Sequence, residues 1–322
     1  MKNILLSQKI HEDAIEFLKN KGFNITISPS PDDETVRENA GEADAIIVRT
    51  ATKLSRETIF SSPRLKVIAR TGGGVDNVDI EAASEKNILV CNTPEANTDS
   101  VAEHALAFML ALSKYLNKMD SEVRSGNFAI RNSYLPVDMA EKTLGLVGFG
   151  KIGRKLAKLC YSCFKMDILF FDPYVQEFKE DDFQCKKMES MDKLFELSDF
   201  ISVHIPYTKE NHHIIGEKLL GRMKKSAFII NTSRGGIIDE KALAEALNEE
   251  KISGAALDVF ENEPPENDNP LLMTDNVYLT PHSAALTKES SRRMAMHAAE
   301  GVADFLEGKN PKWVFNRDKI KI

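Results

Sequence analysis

Residues Thr143 to Arg154 read Thr-Leu-Gly-Leu-Val-Gly-Phe-Gly-Lys-Ile-Gly-Arg, an apolar run, then a Gly-x-Gly-x-x-Gly turn, then the start of a helical pattern. A strand that turns into a helix on three glycines commits the segment to a βαβ unit of a parallel sheet. A second apolar run, Asp167-Ile-Leu-Phe-Phe-Asp172, supplies the next strand and ends in an acid 19 residues after Gly153. Gly148 permits the tight turn, Gly150 lets the backbone approach a pyrophosphate, and Gly153 lets the helix pack closely on the strand. The pyrophosphate rests on the free N–H groups of the helix start, and Asp172 accepts hydrogen bonds from a ribose diol. Three glycines alone also suit an ordinary βαβ turn with Asp172 as a strand-end cap. The two strands, the helix and the acid together point to a dinucleotide.

Strands and helices alternate through the rest of the chain. Short apolar runs at 3–6, 24–28, 45–49, 66–70 and 88–91 read as buried parallel strands, with helical patterns between them such as Glu12 to Asn20, where Ile15 and Leu18 face inward. A second series follows at 143–149, 167–172, 200–204, 227–231, 254–259 and 276–280, the six strands of a complete dinucleotide-binding sheet. Between the series, Ser100-Val-Ala-Glu103 has the form of a capping box. The apolar stretch from Val101 to Leu116 predicts one buried helix over about 98–117 at a domain or subunit interface. A last helix spans Thr287 to Glu307 with Met294, Ala298, Val302 and Phe305 on one stripe. With the apolar tail Pro311-Lys-Trp-Val-Phe-Asn, it predicts that the chain returns to cover its first domain. The rhythm as a whole is that of doubly wound α/β sheets.

The 322 residues are 42% apolar and 28% charged, room for two domains, and the net charge of −7 comes without a clustered basic face. No nucleic-acid partner is expected. No apolar run reaches the roughly 20 residues that span a bilayer. Met1-Lys-Asn-Ile-Leu-Leu runs straight into a strand rather than a leader, so a cytoplasmic protein away from the membrane is expected. Four cysteines are too few for a disulfide scaffold. Cys160-x-x-Cys163 falls at the end of the helix after the glycine turn, where a thiolate gains nothing from the helix dipole. His212-His213 reads as a polar loop pair, and no metal site is expected.

Three polar clusters stand at the ends of later strands, where open α/β sheets place ligands. They are Asn231-Thr-Ser-Arg234-Gly-Gly, Asp258-Val-Phe-Glu-Asn-Glu263-Pro-Pro and Leu279-Thr-Pro-His282-Ser-Ala-Ala. Arg234 offers a planar fork for a carboxylate or carbonyl oxygen, His282 exchanges a proton near neutral pH, and Glu263 can hold the imidazole and favour its charged form.

With these motifs the chain resembles the D-isomer-specific 2-hydroxyacid dehydrogenases over nearly its whole length. The resemblance rests on the glycine turn with Asp172, Asn231-Thr-Ser-Arg-Gly-Gly, Ala256-Leu-Asp-Val-Phe-Glu-Asn-Glu-Pro and Pro281-His282. It implies a Rossmann NAD-binding domain, residues 98–285, inserted into a flavodoxin-like substrate-binding domain, residues 1–97 and 286–322. It also implies hinges near 97–100 and 284–287, and a homodimer. By resemblance, Arg234 binds substrate, Glu263 pairs with the histidine, His282 is the proton donor, and Asp258 meets the nicotinamide carboxamide. Gly148, Gly150, Lys151, Ile152, Gly153, Asp172, His204, Pro206, Thr232, Ser233, Arg234, Asp258, His282 and Ala284 line the cofactor.

Within the family the likeness is nearest to 3-phosphoglycerate dehydrogenases. Ile47-Val-Arg49-Thr-Ala-Thr-Lys53 resembles their phosphate-approaching loop, and Ile68-Ala-Arg70-Thr-Gly-Gly73-Gly74 the loop whose amides hold the substrate carboxylate. Converging amides and two guanidinium groups suit a phosphorylated acid. Gly73 stands where those enzymes commonly carry a hydroxyl or alanine, and His282-Ser-Ala-Ala is closer to hydroxypyruvate and other hydroxyacid reductases. Hydroxypyruvate or glyoxylate therefore stands beside 3-phosphoglycerate as the small-molecule substrate. The sequence stops at Ile322, before the C-terminal regulatory domains of longer phosphoglycerate dehydrogenases, so feedback control through such a domain is not expected. A reading of another class, an NAD-sensing corepressor that binds peptides, keeps the same arginine, glutamate and histidine. Formate dehydrogenase fits poorly, because its relatives carry glutamine where Glu263 stands.

Overall fold

The structure is a computed structural model and describes residues 1–176, 178 and 183–321. It divides into two compact units, Met1–Thr98 with Ala285–Ile322, and Asp99–Ala284.

The first unit holds five parallel strands: β1 (Asn3–Leu6), β2 (Asn24–Ile27), β3 (Ala45–Val48), β4 (Val67–Arg70) and β5 (Leu89–Cys91). Their order is β2-β1-β3-β4-β5, that of a flavodoxin-like sheet. β3 and β4 are buried at every residue, which requires the continuous apolar runs seen in the sequence. β2 departs from that expectation. It is an edge strand, and Ile27 is 44% exposed, since an edge strand has a neighbour on one side only.

The helix Lys288–Leu306 belongs to this first unit. Thr287 caps it by accepting from Ser290 N. Its Ala295, Ala298, Ala299, Val302 and Ala303 join Ile4, Leu6, Ala45, Ile47, Val67 and Leu89 in one core. The tail then pairs with β5: Phe315 N donates to Val90 O, and Asn316 accepts from Val90 N and donates to Ile88 O. The return of the chain to its first domain is thus seen, built from small residues that let the helix lie close on the sheet.

The second unit holds β6 (Thr143–Val147), β7 (Asp167–Phe171), β8 (Lys186–Lys187), β9 (Phe200–Val203), β10 (Phe228–Asn231), β11 (Gly254–Leu257) and β12 (Val277–Leu279). All are parallel, in the order β12-β11-β10-β9-β6-β7-β8. That is the six-strand Rossmann order with a seventh strand added at one end. The expected count of six missed β8. Two lysines at a sheet edge carry no apolar signal, because their pairing uses backbone only.

The helix Thr98–Ser113 places Ala102, Ala105, Phe108, Met109 and Leu112 in the core beside Leu144, Leu146 and Phe170, each buried side chain stabilising by about 1.5–3 kcal/mol when large. It is shorter than the sequence predicts. Tyr115 adopts a left-handed backbone, φ +50, and a separate helix, Leu116–Arg124, follows with no buried residue. The capping box is also absent as such. Ser100 lies inside the helix and is buried, while Glu103 is exposed. The local pattern is overridden by a start three residues earlier, at Thr98 rather than Val101. Among the described residues, no helix is long and apolar enough to cross a membrane.

Candidate active site

The glycine turn sits at the end of β6, in the middle of the second sheet. Gly148 has φ +94, and a Cβ there would lie 2.7 Å from the His204 carbonyl oxygen. A Cβ on Gly153 would meet the Gly148 carbonyl oxygen at 2.6 Å, so the helix Lys151–Phe164 can approach only without one. At Gly150 the space is open to beyond 4 Å. Gly150 is also the N-cap and provides no side-chain cap, and the start of a helix of this length points its first backbone N–H groups toward an anion.

Asp172, at the end of β7, accepts from Phe149 N through Oδ2 and from Tyr174 N through Oδ1, both at 2.8 Å. Each carboxylate oxygen has a second lone pair for a ligand. Thr232 Oγ1 is buried with no hydrogen-bond partner among the described residues. A buried hydroxyl left unpaired is costly unless a ligand completes it. The open turn, the uncapped helix and this orphan hydroxyl all fit a dinucleotide. His204 and Pro206 follow β9. His204 Nε2 lies 2.9 Å from Ser202 Oγ, and burial pushes its imidazole down to about 4, so it is neutral at pH 7. Asn211 Nδ2 donates to Pro206 O at 2.7 Å.

At the end of β10, Asn231 builds the loop that carries Arg234. Its Oδ1 accepts from Ser233 N and Oγ, and its Nδ2 donates to Arg234 O. Arg234 Nη1 donates to Ser233 O at 2.7 Å. The next residue, Gly235, is where the loops touch: a Cβ there would lie 1.8 Å from Phe260 O. Glu263 Oε2 lies 2.7 Å from His282 Nδ1, and Oε1 accepts from Phe260 N. Burial alone would raise the Glu263 carboxyl. The hydrogen bond and charge of His282, the Phe260 N–H and the Arg234 charge outweigh it and hold the group below its ordinary 4.5. Glu263 therefore adds stability above pH 4.5 that is lost as the pH falls through its lowered value.

His282 has φ +50, a sparsely populated backbone for a non-glycine residue. Asp258, itself 1% exposed, holds it there. Its backbone oxygen accepts from His282 N, its Oδ1 from Thr280 Oγ1 and Ser283 N, and its Oδ2 from Ala284 N. His104 Nε2 lies 3.2 Å from Thr280 Oγ1. Because the Thr280 proton is given to Asp258, His104 must donate, which sets its Nε2–H tautomer. Burial lowers the His104 imidazole against the opposing pull of Asp258. Glu263, Thr280 and His282 open on a cavity of about 450 Å³ that Phe260, Leu272 and Leu279 also line.

Arg49, Arg70, Gly73 and Gly74 lie in the other unit, and their two loops are tied together. Arg70 Nη2 donates to Thr50 Oγ1 at 3.0 Å, Asn77 Nδ2 to Arg49 O at 2.9 Å, and Asn92 Nδ2 to Gly73 O at 2.7 Å. Arg49 Nη1 donates to Lys9 O. A Cβ on Gly73 would find its nearest atom at 3.7 Å, so alanine or a small hydroxyl residue would fit there. Cys160 and Cys91 are buried, and burial pushes both thiols up to about 12. That leaves no thiolate at neutral pH in either. Asn231, Thr280, His104 and Gly235 are not among the site residues that the sequence indicates. Asn231 carried a faint signal, an Asx turn after an apolar strand; the others gain meaning only from their partners.

The model of the family "D-isomer specific 2-hydroxyacid dehydrogenase, NAD binding domain" matches residues 106–284. The chain is 40% identical over 320 residues to the D-3-phosphoglycerate dehydrogenase of Methanocaldococcus jannaschii, covering 99% of this chain but only 60% of that protein. It is 38% identical over 299 residues to the hydroxypyruvate reductase of Thermotoga maritima, covering 92% of this chain and 96% of that one. The crystal structure of D-lactate dehydrogenase from Aquifex aeolicus, complexed with NAD and lactic acid, superposes with a TM-score of 0.84 at 32% identity, over 95% of this chain and 96% of that one.

Proposed function

Because the chain belongs to the D-isomer specific 2-hydroxyacid dehydrogenase family, we propose that it interconverts a small 2-hydroxy acid and its 2-keto acid with NAD. The observation that carries this reading is the 2.7 Å Glu263–His282 pair, set in the same unit as the glycine turn. With Nδ1 engaged by Glu263, Nε2 is the atom left to exchange a proton. In the oxidative direction His282 takes the C2 hydroxyl proton; in the reductive direction it returns one to the C2 oxygen. Arg234 grips the carboxylate and draws charge toward that oxygen. The nicotinamide, when bound, supplies or takes up the hydride at C2. Gly148, Gly150 and Gly153 with the helix start hold the pyrophosphate, Asp172 the ribose, and Thr232, Ser233, Asp258 and Ala284 the nicotinamide end.

For the substrate we propose D-3-phosphoglycerate. Two arginines, Arg49 and Arg70, stand on loops that share hydrogen bonds, and the Methanocaldococcus enzyme is similar across 99% of this chain. The second reading, a hydroxypyruvate or glyoxylate reductase, is favoured by the Thermotoga enzyme, which matches over 96% of its own length. Steady-state kinetics on phosphohydroxypyruvate, hydroxypyruvate and glyoxylate separate them. If Arg49 meets the phosphate, Arg49→Ala should lower kcat/KM for phosphohydroxypyruvate by about 10-fold or more, the worth of one charge-assisted contact, and leave hydroxypyruvate nearly unchanged. Equal losses on both would remove the phosphate role.

Asp172 should set NAD above NADP, since a 2′-phosphate would face a carboxylate. Asp172→Ser should narrow the ratio of kcat/KM for the two cofactors. Affinity for NAD should fall too, because the bonds to Phe149 N and Tyr174 N weaken. A wild-type protein that already prefers NADP would refute this role.

A further inference from the structure

His212 and His213 are neighbours, and in a regular extended segment their side chains would point apart. His213 has φ +52, and this turn brings the two imidazoles face to face, centroids 3.8 Å apart and 25° from parallel. His213 N donates to Gly236 O at 2.7 Å, which fixes the turn. Both Nε2 atoms face one carboxylate from a distant loop: His213 Nε2 is 3.0 Å from Glu261 Oε2, and His212 Nε2 is 3.9 Å from Glu261 Oε1. One ligand atom from each of the three residues lies within 4.8 Å of the others. The other ring nitrogens meet outer partners. His213 Nδ1 is 3.8 Å from Asp239 Oδ2, and His212 Nδ1 is 3.4 Å from the Tyr207 hydroxyl. Histidines that bind a metal through one nitrogen are typically oriented through the other by a carboxylate, carbonyl or water, and Asp239 is the carboxylate near enough to take that part after a small side-chain rotation.

We propose that His212, His213 and Glu261 form a site for a first-row divalent transition cation of the Zn²⁺ class. Two imidazole nitrogens and a carboxylate oxygen suit Zn²⁺, whereas Mg²⁺ and Ca²⁺ take oxygen ligands. Ligand atoms on a tetrahedral Zn²⁺ sit roughly 3.3 Å apart. The three ligand atoms here, all within 4.8 Å of one another, close by rotation of side chains that are 32–42% exposed, and water completes the fourth position. Binding requires the His213 Nε2 lone pair. The ring then carries its proton on Nδ1, facing Asp239. Glu261 lies two residues before Glu263, and Gly236, bonded to His213, lies two residues after Arg234. The cation would thus pin together the loops that bear both.

The test is calorimetric titration of ZnCl₂ into untagged, chelator-stripped protein at neutral pH, on the full chain. Wild type should bind one equivalent saturably. His213→Ala and Glu261→Gln should each weaken that binding at least 10-fold. Asp239→Asn, which keeps an acceptor for Lys241 N and Ala242 N, should weaken it about 10–100-fold. His11→Ala, in the other unit, should change nothing. Circular dichroism checks folding, and should His213→Ala fail to fold, Glu261→Gln and Asp239→Asn carry the test. Absence of a saturable equivalent in wild type, or undiminished affinity in the variants, overturns the site.

Discussion

Replacing His282 by alanine is expected to lower kcat by about 10²–10⁴-fold, the usual worth of a positioned general acid–base group. The side chain is held by Glu263 at 2.7 Å, whereas its backbone is held by the Asp258 carbonyl oxygen. Truncation therefore removes the proton carrier without releasing the loop, and the dissociation constant for NAD should stay within a few-fold of wild type. Glu263→Gln separates two parts of the mechanism. The amide has one acceptor oxygen for the two donors that Glu263 serves, His282 Nδ1 and Phe260 N, and it offers no negative charge to an imidazolium. Turnover should fall by less than in His282→Ala, because the proton carrier itself stays in place. Near-wild-type turnover of His282→Ala at saturating substrate would remove His282 from the chemistry.

Gly235→Ala is expected to be nearly as damaging without touching any group that performs chemistry. The new Cβ would lie 1.8 Å from Phe260 O, 2.0 Å from Phe260 C and 2.5 Å from Glu261 N. All three are backbone atoms, so no side-chain rotation relieves the clash, and the two loops must separate by an ångström or more. One loop carries Arg234 and the other Glu263. A shift of about 1 Å in catalytic groups can cost 10²-fold in rate, and overpacking costs about 1–3 kcal/mol in stability. Activity should therefore fall by about 10²-fold or more, with a lower denaturation midpoint. Gly150→Ala is the control. Nothing lies within 4 Å of its Cβ, so the fold should melt as wild type while NAD binds more weakly. Wild-type kcat/KM in Gly235→Ala would show that the loops do not need this approach.

The strand-end positions of Arg234, Glu263 and His282 were legible because each follows a short apolar run, and an apolar run of that length is a buried strand. The glycine turn was legible for a similar reason: glycine spacing reports backbone that must turn tightly or pack without a Cβ. Where the local signal is weak, the pattern misleads. Lys186-Lys187 pairs as a strand with no apolar residue, the Ser100–Glu103 pattern lies within a helix rather than at its start, and the long apolar helix breaks at Tyr115. The contact of His213 with Glu261 leaves no trace in the sequence, because 48 residues separate the two.

By itself the sequence determined the alternation of strands and helices, the two parallel sheets, and the turn suited to a dinucleotide. These follow from the period of apolar residues and from the steric needs of single positions, both of which act over a few residues. Only the tertiary structure decided that Gly235 abuts Phe260, that His104 reaches Asp258 through Thr280, and that Glu261 closes on two imidazoles. Those contacts join segments whose meeting depends on how whole strands stack, and no local pattern encodes that distance.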